Sequence, residues 1–267
     1  MKDILLLAHD DSGQEARLQA ALDLTRAVKG RLTCLDVVEV PVVGADLWVP
    51  GGHGFLVEEA CEQAADLRNR VRARLAREDV SWDWKDAAGD LARCIDEATG
   101  LADVIVASAR SDGLFGVGSR RLAADLVLRS KTPVLAVPDD LRRFDPAGRV
   151  LVAWDGSAPA IAALHAAVPL LRTAELVVIL EVERDTIVSP AEDAAGYLSR
   201  HAIASVVERR RRITPSIAAT IRDEIARQHI DYVVMGAFSH MRLTEAVFGG
   251  VSHDMLKHSP VPLFMAH

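Results

Sequence analysis

The sequence predicts an α/β protein built from two tandem, doubly wound parallel sheets of five strands each. Three observations carry that prediction. Apolar residues come in short runs of four to seven, alternating with longer segments of helical periodicity, as expected of strands buried on both faces between helices. At 267 residues the chain is long enough for two domains, each with its own core. The chain also repeats itself: ILLLAHDDS parallels VLVAWDGS, with Ala8, Asp10 and Ser12 matching Ala153, Asp155 and Ser157 at a constant offset of 145. ADVIVASA likewise parallels IDYVVMGA, and KTPVLAVP parallels PVPLFMAH. The predicted domains are residues 1–138 and 149–267, and the charged, proline-containing DDLRRFDPAG over 139–148 is the linker between them.

In the first half, the apolar run at 4–8 reads as a buried strand, 13–29 as a helix and 31–40 as a second strand. Residues 41–55 are rich in Pro and Gly and predict a long loop, of the kind that lids a site or meets a partner. A helix follows over 56–78, with Leu56, Ala60, Ala64, Leu67, Val71 and Leu75 on one face and Arg68, Arg70, Arg72, Arg74 and Arg77 on the other. The alternation Val80, Trp82, Trp84 predicts a strand with one buried face. A helix over 91–99, a strand over 104–107, a loop through Gly118, a helix ending near 129 and a strand over 134–137 complete the unit.

The second half repeats the order. Strands are predicted over 150–153, 176–182, 205–207, 232–235 and 263–266, and helices over 158–171, 190–203 and 215–228. A last helix opens at Gly249-Gly250 and is stopped by Pro260 and Pro262. Right-handed crossovers between such strands give a doubly wound sheet, whose ligands bind beyond the strands' carboxyl ends where the winding reverses. Asp155, ending the first strand of the second half, and Gly236, ending its fourth, are expected to meet there. Glycines between a strand and a helix let backbone N–H groups approach an anion, and the helix dipole adds attraction, so phosphate is the expected guest. Taken singly, Asp155-Gly156-Ser157 also reads as a turn with a helix N-cap, and Gly249-Gly250 as a closely packed helix start.

The spacing Gly236, two residues, Ser239, nine residues, Gly249-Gly250-Val251-Ser252 resembles the ATP-binding signature of the universal stress protein family, Gly-x2-Gly-x9-Gly-(Ser/Thr). Ser239 stands in place of the second glycine, and Gly250 in place of the hydroxyl residue, with Ser252 two positions on. The resemblance implies a Rossmann-like, adenine nucleotide alpha-hydrolase-like fold of strand order 3-2-1-4-5. It also implies an adenine contact from Asp155, with Val182 packing on the base, and a ribose and phosphate loop made by Gly236, Ser239, Gly249, Gly250, Val251 and Ser252. The cofactor implied is ATP, with or without Mg2+. The first half has lost the pattern: aligning Pro133 with Pro262 puts Ala107, Arg110, Arg120 and Arg121 where the second half has Gly236, Ser239, Gly249 and Gly250, although a two-residue shift would use Gly118-Ser119. Family members pair through the last strand, so the halves are expected to form an intramolecular pseudo-dimer, alone or within a homodimer.

Composition excludes several other functions. A net charge of −7 argues against nucleic acid as a partner. The basic runs on helix 56–78 and at Arg209 to Arg212 read as solvated faces or subunit contacts. No apolar run reaches the roughly 18 residues of a membrane span. MKDILLLAHDD reads as a first strand and not a secretory signal, and three scattered cysteines (Cys34, Cys61, Cys94) form neither a disulfide framework nor a zinc ribbon, so a cytoplasmic protein is expected. His240, His253 and His258 lack a metal-site spacing, and His9, Asp10 and Ser12 are too close in sequence for a triad. No Walker lysine follows a Gly-rich loop, so slow ATP hydrolysis is the most that is expected, with an unidentified protein partner reading the nucleotide state. Two rival readings remain: a dimerisation module or small-ligand carrier that binds no nucleotide, and an ATP-dependent enzyme of the same fold. The enzyme would carry an SGGxDS-type loop where this chain has AWDGSAP and AHDDSGQ.

Overall fold

The computed structural model describes residues 1–38, 52–110, 122–182, 189–211, 216–238 and 250–267, with the backbone alone for 52–63 and 92. The first half runs β1 (Asp3–Ala8), α1 (Gln14–Val28), β2 (Arg31–Val38), α2 (Gly52–Leu75), β3 (Ser81–Ala88), α3 (Leu91–Thr99), β4 (Val104–Ser108), α4 (Leu122–Arg129) and β5 (Val134–Val137). The second runs β6 (Arg149–Trp154), α5 (Ala158–Leu171), β7 (Leu176–Val182), α6 (Ala191–Arg200), β8 (Val206–Arg210), α7 (Ile217–Gln228), β9 (Tyr232–Gly236), α8 (Gly250–His258) and β10 (Leu263–Ala266). Most of the expected long loop lies outside the described residues, but 52–55 already belong to the first turn of α2.

The ten strands among the described residues form one sheet in the order β3-β2-β1-β4-β5-β10-β9-β6-β7-β8. Each half is parallel with the order 3-2-1-4-5, and the halves join where β5 and β10 pair antiparallel, Phe264 opposite Leu135. Side chains alternate between two apolar layers. Leu135 and Phe264 enter the layer holding α1, α2, α5 and α6, while Val134 and Met265 enter the layer holding α3, α4, α7 and α8. Both layers therefore run continuously through the joint.

Residues 139–148 are more than a tether. Phe144 is buried, its N–H donates to Asp23 Oδ2 on α1 at 3.0 Å, and its ring meets Tyr232 of β9 edge to face at 5.3 Å. The Tyr232 hydroxyl donates to the Pro146 carbonyl at 3.3 Å, and burial pushes that phenol well up. Phe144→Ala opens a cavity against both halves and is expected to cost about 3–5 kcal/mol in denaturant unfolding; a loss under about 1 kcal/mol would mean that the strap packs loosely.

Candidate functional site

The winding of the second half reverses between β6 and β9, which pair in parallel with Ala153 opposite Met235. Asp155 and Gly236 therefore leave the sheet side by side. Asp155 is partly buried, and its Oδ1 accepts the Ser157 N–H at 3.1 Å; the Ser157 hydroxyl in turn accepts from the Ala160 N–H at 3.3 Å and caps α5. Turn and cap are thus both real here. The turn is braced from α6: Trp154 Nε1 donates to the Ser189 carbonyl at 3.0 Å, and Gly156 sits at φ +70° with Ser189 backbone atoms 2.6 Å from where a Cβ would stand. Only glycine meets both demands.

Gly236 has a packing reason of its own. A Cβ there would stand 2.4 Å from the Ala160 nitrogen, so the missing side chain lets the first turn of α5 close on the end of β9. Two residues on, Phe238 is buried at φ +57°, a left-handed conformation unusual for a bulky residue. Its N–H donates to Ser252 Oγ at 3.1 Å, and Ala237 is held by the Ala266 carbonyl and by His267 Nδ1, at 2.9 and 2.8 Å. Ser252, expected near phosphate, is buried and pins this turn. Strain of this kind persists only where surroundings over-determine it, and it collects at binding sites.

Gly250 begins α8 and is exposed: a Cβ added there would meet no described atom within 4 Å, and Val251 is partly buried beside it. The first N–H groups of a helix have no partner inside it, so this end is suited to an anion. Val182, the last residue of β7, spends its side chain in the apolar layer of α7 and α8. Ser239 and Gly249 lie outside the described residues, as do His240, Arg120, Arg121, Gly118 and Ser119.

The reversal point of the first half is built differently. Asp11, not Asp10, repeats the turn of Asp155: its Oδ1 accepts the N–H of Gly13 two residues on, at 3.0 Å, at the start of α1. That carboxylate is bound by Arg17, only 1% exposed, whose Nη1 reaches both Asp11 oxygens at 2.8 and 3.0 Å and also the Ser108 hydroxyl at the end of β4. Its remaining donors go to the Leu7 and His9 carbonyls and Gln14 Oε1, at 3.2, 3.0 and 2.9 Å. A protein cation here occupies the hydrogen-bonding capacity of the carboxylate. Sequence reading missed Arg17; the signal was an arginine within the stripe Ala16, Leu18, Ala20, Ala21.

Burial and then Arg17 push the His9 imidazole down to about 4, keeping it neutral, while Asp10 pairs outward with Arg70 at 2.6 Å. His258 Nδ1 meets Asp254 at 2.6 Å, and among the described residues no group of three or more His, Cys, Asp or Glu could hold a metal ion. The basic runs are largely neutralised: Arg68 pairs with Asp86, Arg74 with Glu78, Arg209 with Glu181 and Glu192, and Arg210 with Glu224. Cys34 and Cys94 are buried and free of disulfides, and no described helix is long and apolar enough to cross a membrane.

Residues 147–267 match the model of the universal stress protein family. The second half of the chain belongs to that family. The match covers every residue of the β6–β9 crevice described above. The whole architecture is similar to that of a universal stress protein from Archaeoglobus fulgidus DSM 4304, which is 20% identical with a TM-score of 0.76 over 98% of this chain and 97% of that one. A functionally unknown protein from Pseudomonas aeruginosa PAO1 shares the fold at 14% identity and a TM-score of 0.59, over 100% and 92% of the two chains. No curated protein matches the chain. At these identities the solved structures speak for the fold alone, and they extend the universal stress protein architecture across both halves.

Proposed function

We propose that this protein is a cytoplasmic regulator of a stress response that binds one adenine nucleotide per chain, in the second half, and hydrolyses it slowly or not at all. The two halves act as an internal pseudo-dimer joined through β5 and β10, and the nucleotide state is read by a protein partner. The observation that carries this reading is the convergence of Asp155 and Gly236 at the reversal point of β6 and β9, within the residues matched to the universal stress protein family. The exposed start of α8 fits an anion, and the strained turn at Phe238 immediately precedes residues 239–249, which carry Ser239 and Gly249. ATP would bring its adenine edge to Asp155 and its phosphates to the start of α8. In the first half Arg17 already binds the equivalent carboxylate.

A second reading, a dimerisation module without nucleotide, draws support from Gly236, whose missing Cβ is explained by the approach of α5 alone. Calorimetric titration separates the two. ATP added to nucleotide-free protein is expected to bind with a stoichiometry near one. Gly249→Val is expected to abolish binding and Arg120→Val to leave it nearly intact. Asp155→Ala is expected to weaken binding by about 1–3 kcal/mol and to lower the preference for ATP over GTP. No heat of binding favours the second reading; loss of binding in Arg120→Val but not in Gly249→Val assigns the nucleotide to the first half.

A further inference from the structure

Asp36 lies in β2, 6% exposed, on the face that carries Leu32 and Cys34 into the layer of α1 and α2. Its Oδ2 is buried with no hydrogen-bond partner. Directly opposite in the parallel register stands Asp86 of β3, another carboxylate, which accepts from Trp84 Nε1 at 2.7 Å and from Arg68 of α2 at 3.1 Å. Asp10, just beyond β1, also faces Asp36 and is tied to Arg70 of α2 at 2.6 Å. Around Asp36 are thus Asp86 from β3, Asp10 from the end of β1, and the cations Arg68 and Arg70 from α2. Three carboxylates face two guanidinium groups.

The second half solves the same place differently. Glu181 of β7 is also buried, but Ala191 N–H at the start of α6 takes one of its oxygens at 2.8 Å and Arg209 Nε the other at 2.8 Å. Arg209 stands opposite Glu181 in the register of β7 and β8, where the first half puts Asp86 opposite Asp36. A salt bridge between neighbouring strands in one half is replaced by a like-charge pair in the other.

We propose that Asp36 is a proton-operated clasp between α2 and the sheet: ionised, it loosens the seam of α2 with β2 and β3, and protonated, it closes that seam. Burial first, then Asp86, pushes the Asp36 carboxyl up to about 6. A carboxyl raised in the folded state holds a proton there that it releases on unfolding. Its stabilising contribution is therefore present in full below the unfolded value near 4 and is lost as pH rises through about 6. The clasp tightens on acidification.

Hydrogen exchange at residues 64–75 of the full chain, corrected for intrinsic rates, tests this. Opening of α2 is expected to be about 10-fold more frequent at pH 7.5 than at pH 5.0. In Asp36→Asn, which keeps the shape without the charge, it is expected to be infrequent at both. Asp86→Asn is expected to weaken the dependence without removing it, because the burial of Asp36 remains, and the Asp36 carboxyl carbon is expected to titrate near 6 by NMR in the wild type. A wild-type α2 with equal protection at both pH values, an Asp36→Asn protein that keeps the wild-type dependence, or a titration midpoint below about 4.5 would overturn the proposal.

Discussion

Arg17→Met is expected to cost about 3–5 kcal/mol, among the largest effects of any single change in the first half. Methionine fills much of the same volume, so the loss is electrostatic. Removing the guanidinium leaves the Asp11 carboxylate without its cation and withdraws a donor from the Ser108 hydroxyl, the Leu7 and His9 carbonyls and Gln14 Oε1. Breaking a buried pair from one side costs several kcal/mol because the other charge stays buried and uncompensated. Arg17→Lys offers little rescue, since an ammonium cannot span partners spread over α1, β1 and β4. The double change Arg17→Met with Asp11→Asn removes the stranded charge and is expected to recover part of the loss, which a denaturant double-mutant cycle measures. If Arg17→Met alone costs less than about 1 kcal/mol, the network is a surface decoration and not the plug of the first crevice.

What the sequence makes legible follows from which forces act locally. Strands buried on both faces must be apolar throughout, so β1, β4, β5, β6, β7, β9 and β10 stand out as runs, and their alternation with helices implies the doubly wound order. The edge strand β8 is legible only to Val207. It continues through Arg209 and Arg210 because their heads pair with Glu181, Glu192 and Glu224, partners that come from other elements. Periodicity starts α2 at Leu56, whereas the helix begins at Gly52, since glycines there read as loop.

The repeat locates the crevice but misses its register by one residue. Sequence matching pairs Asp10 with Asp155, whereas the turn geometry pairs Asp11 with it, because one extra residue precedes α1. Arg17 is illegible for a deeper reason. Its burial depends on Ser108, 91 residues away, and helical periodicity carries no word of such a partner. Gly236 is legible as a necessary glycine, yet its contact is the backbone of α5. The same glycine can serve packing and a nearby ligand, and spacing alone does not separate the two.

Phe264→Lys is expected to abolish cooperative folding of the whole chain, not of one half. Phe264 is fully buried in β10, opposite Leu135 of β5 on one side and Val234 of β9 on the other. It lies where the two five-stranded units become one sheet. Deleting a buried phenylalanine costs about 3–5 kcal/mol, and placing an ammonium with no described acid beside it adds several more. The sum reaches the total stability of an ordinary domain, about 5–15 kcal/mol. Because the apolar layers pass uninterrupted from β5 to β10, the damage spreads to both sides of the joint. Phe264→Leu keeps the apolar contact and is expected to cost much less, about 1–2 kcal/mol. Circular dichroism melts of the two variants decide it: a lysine variant melting within a few degrees of the wild type, or one that keeps half of the native signal in a separate transition, would mean that the halves fold independently and that the joint is a contact rather than a shared core.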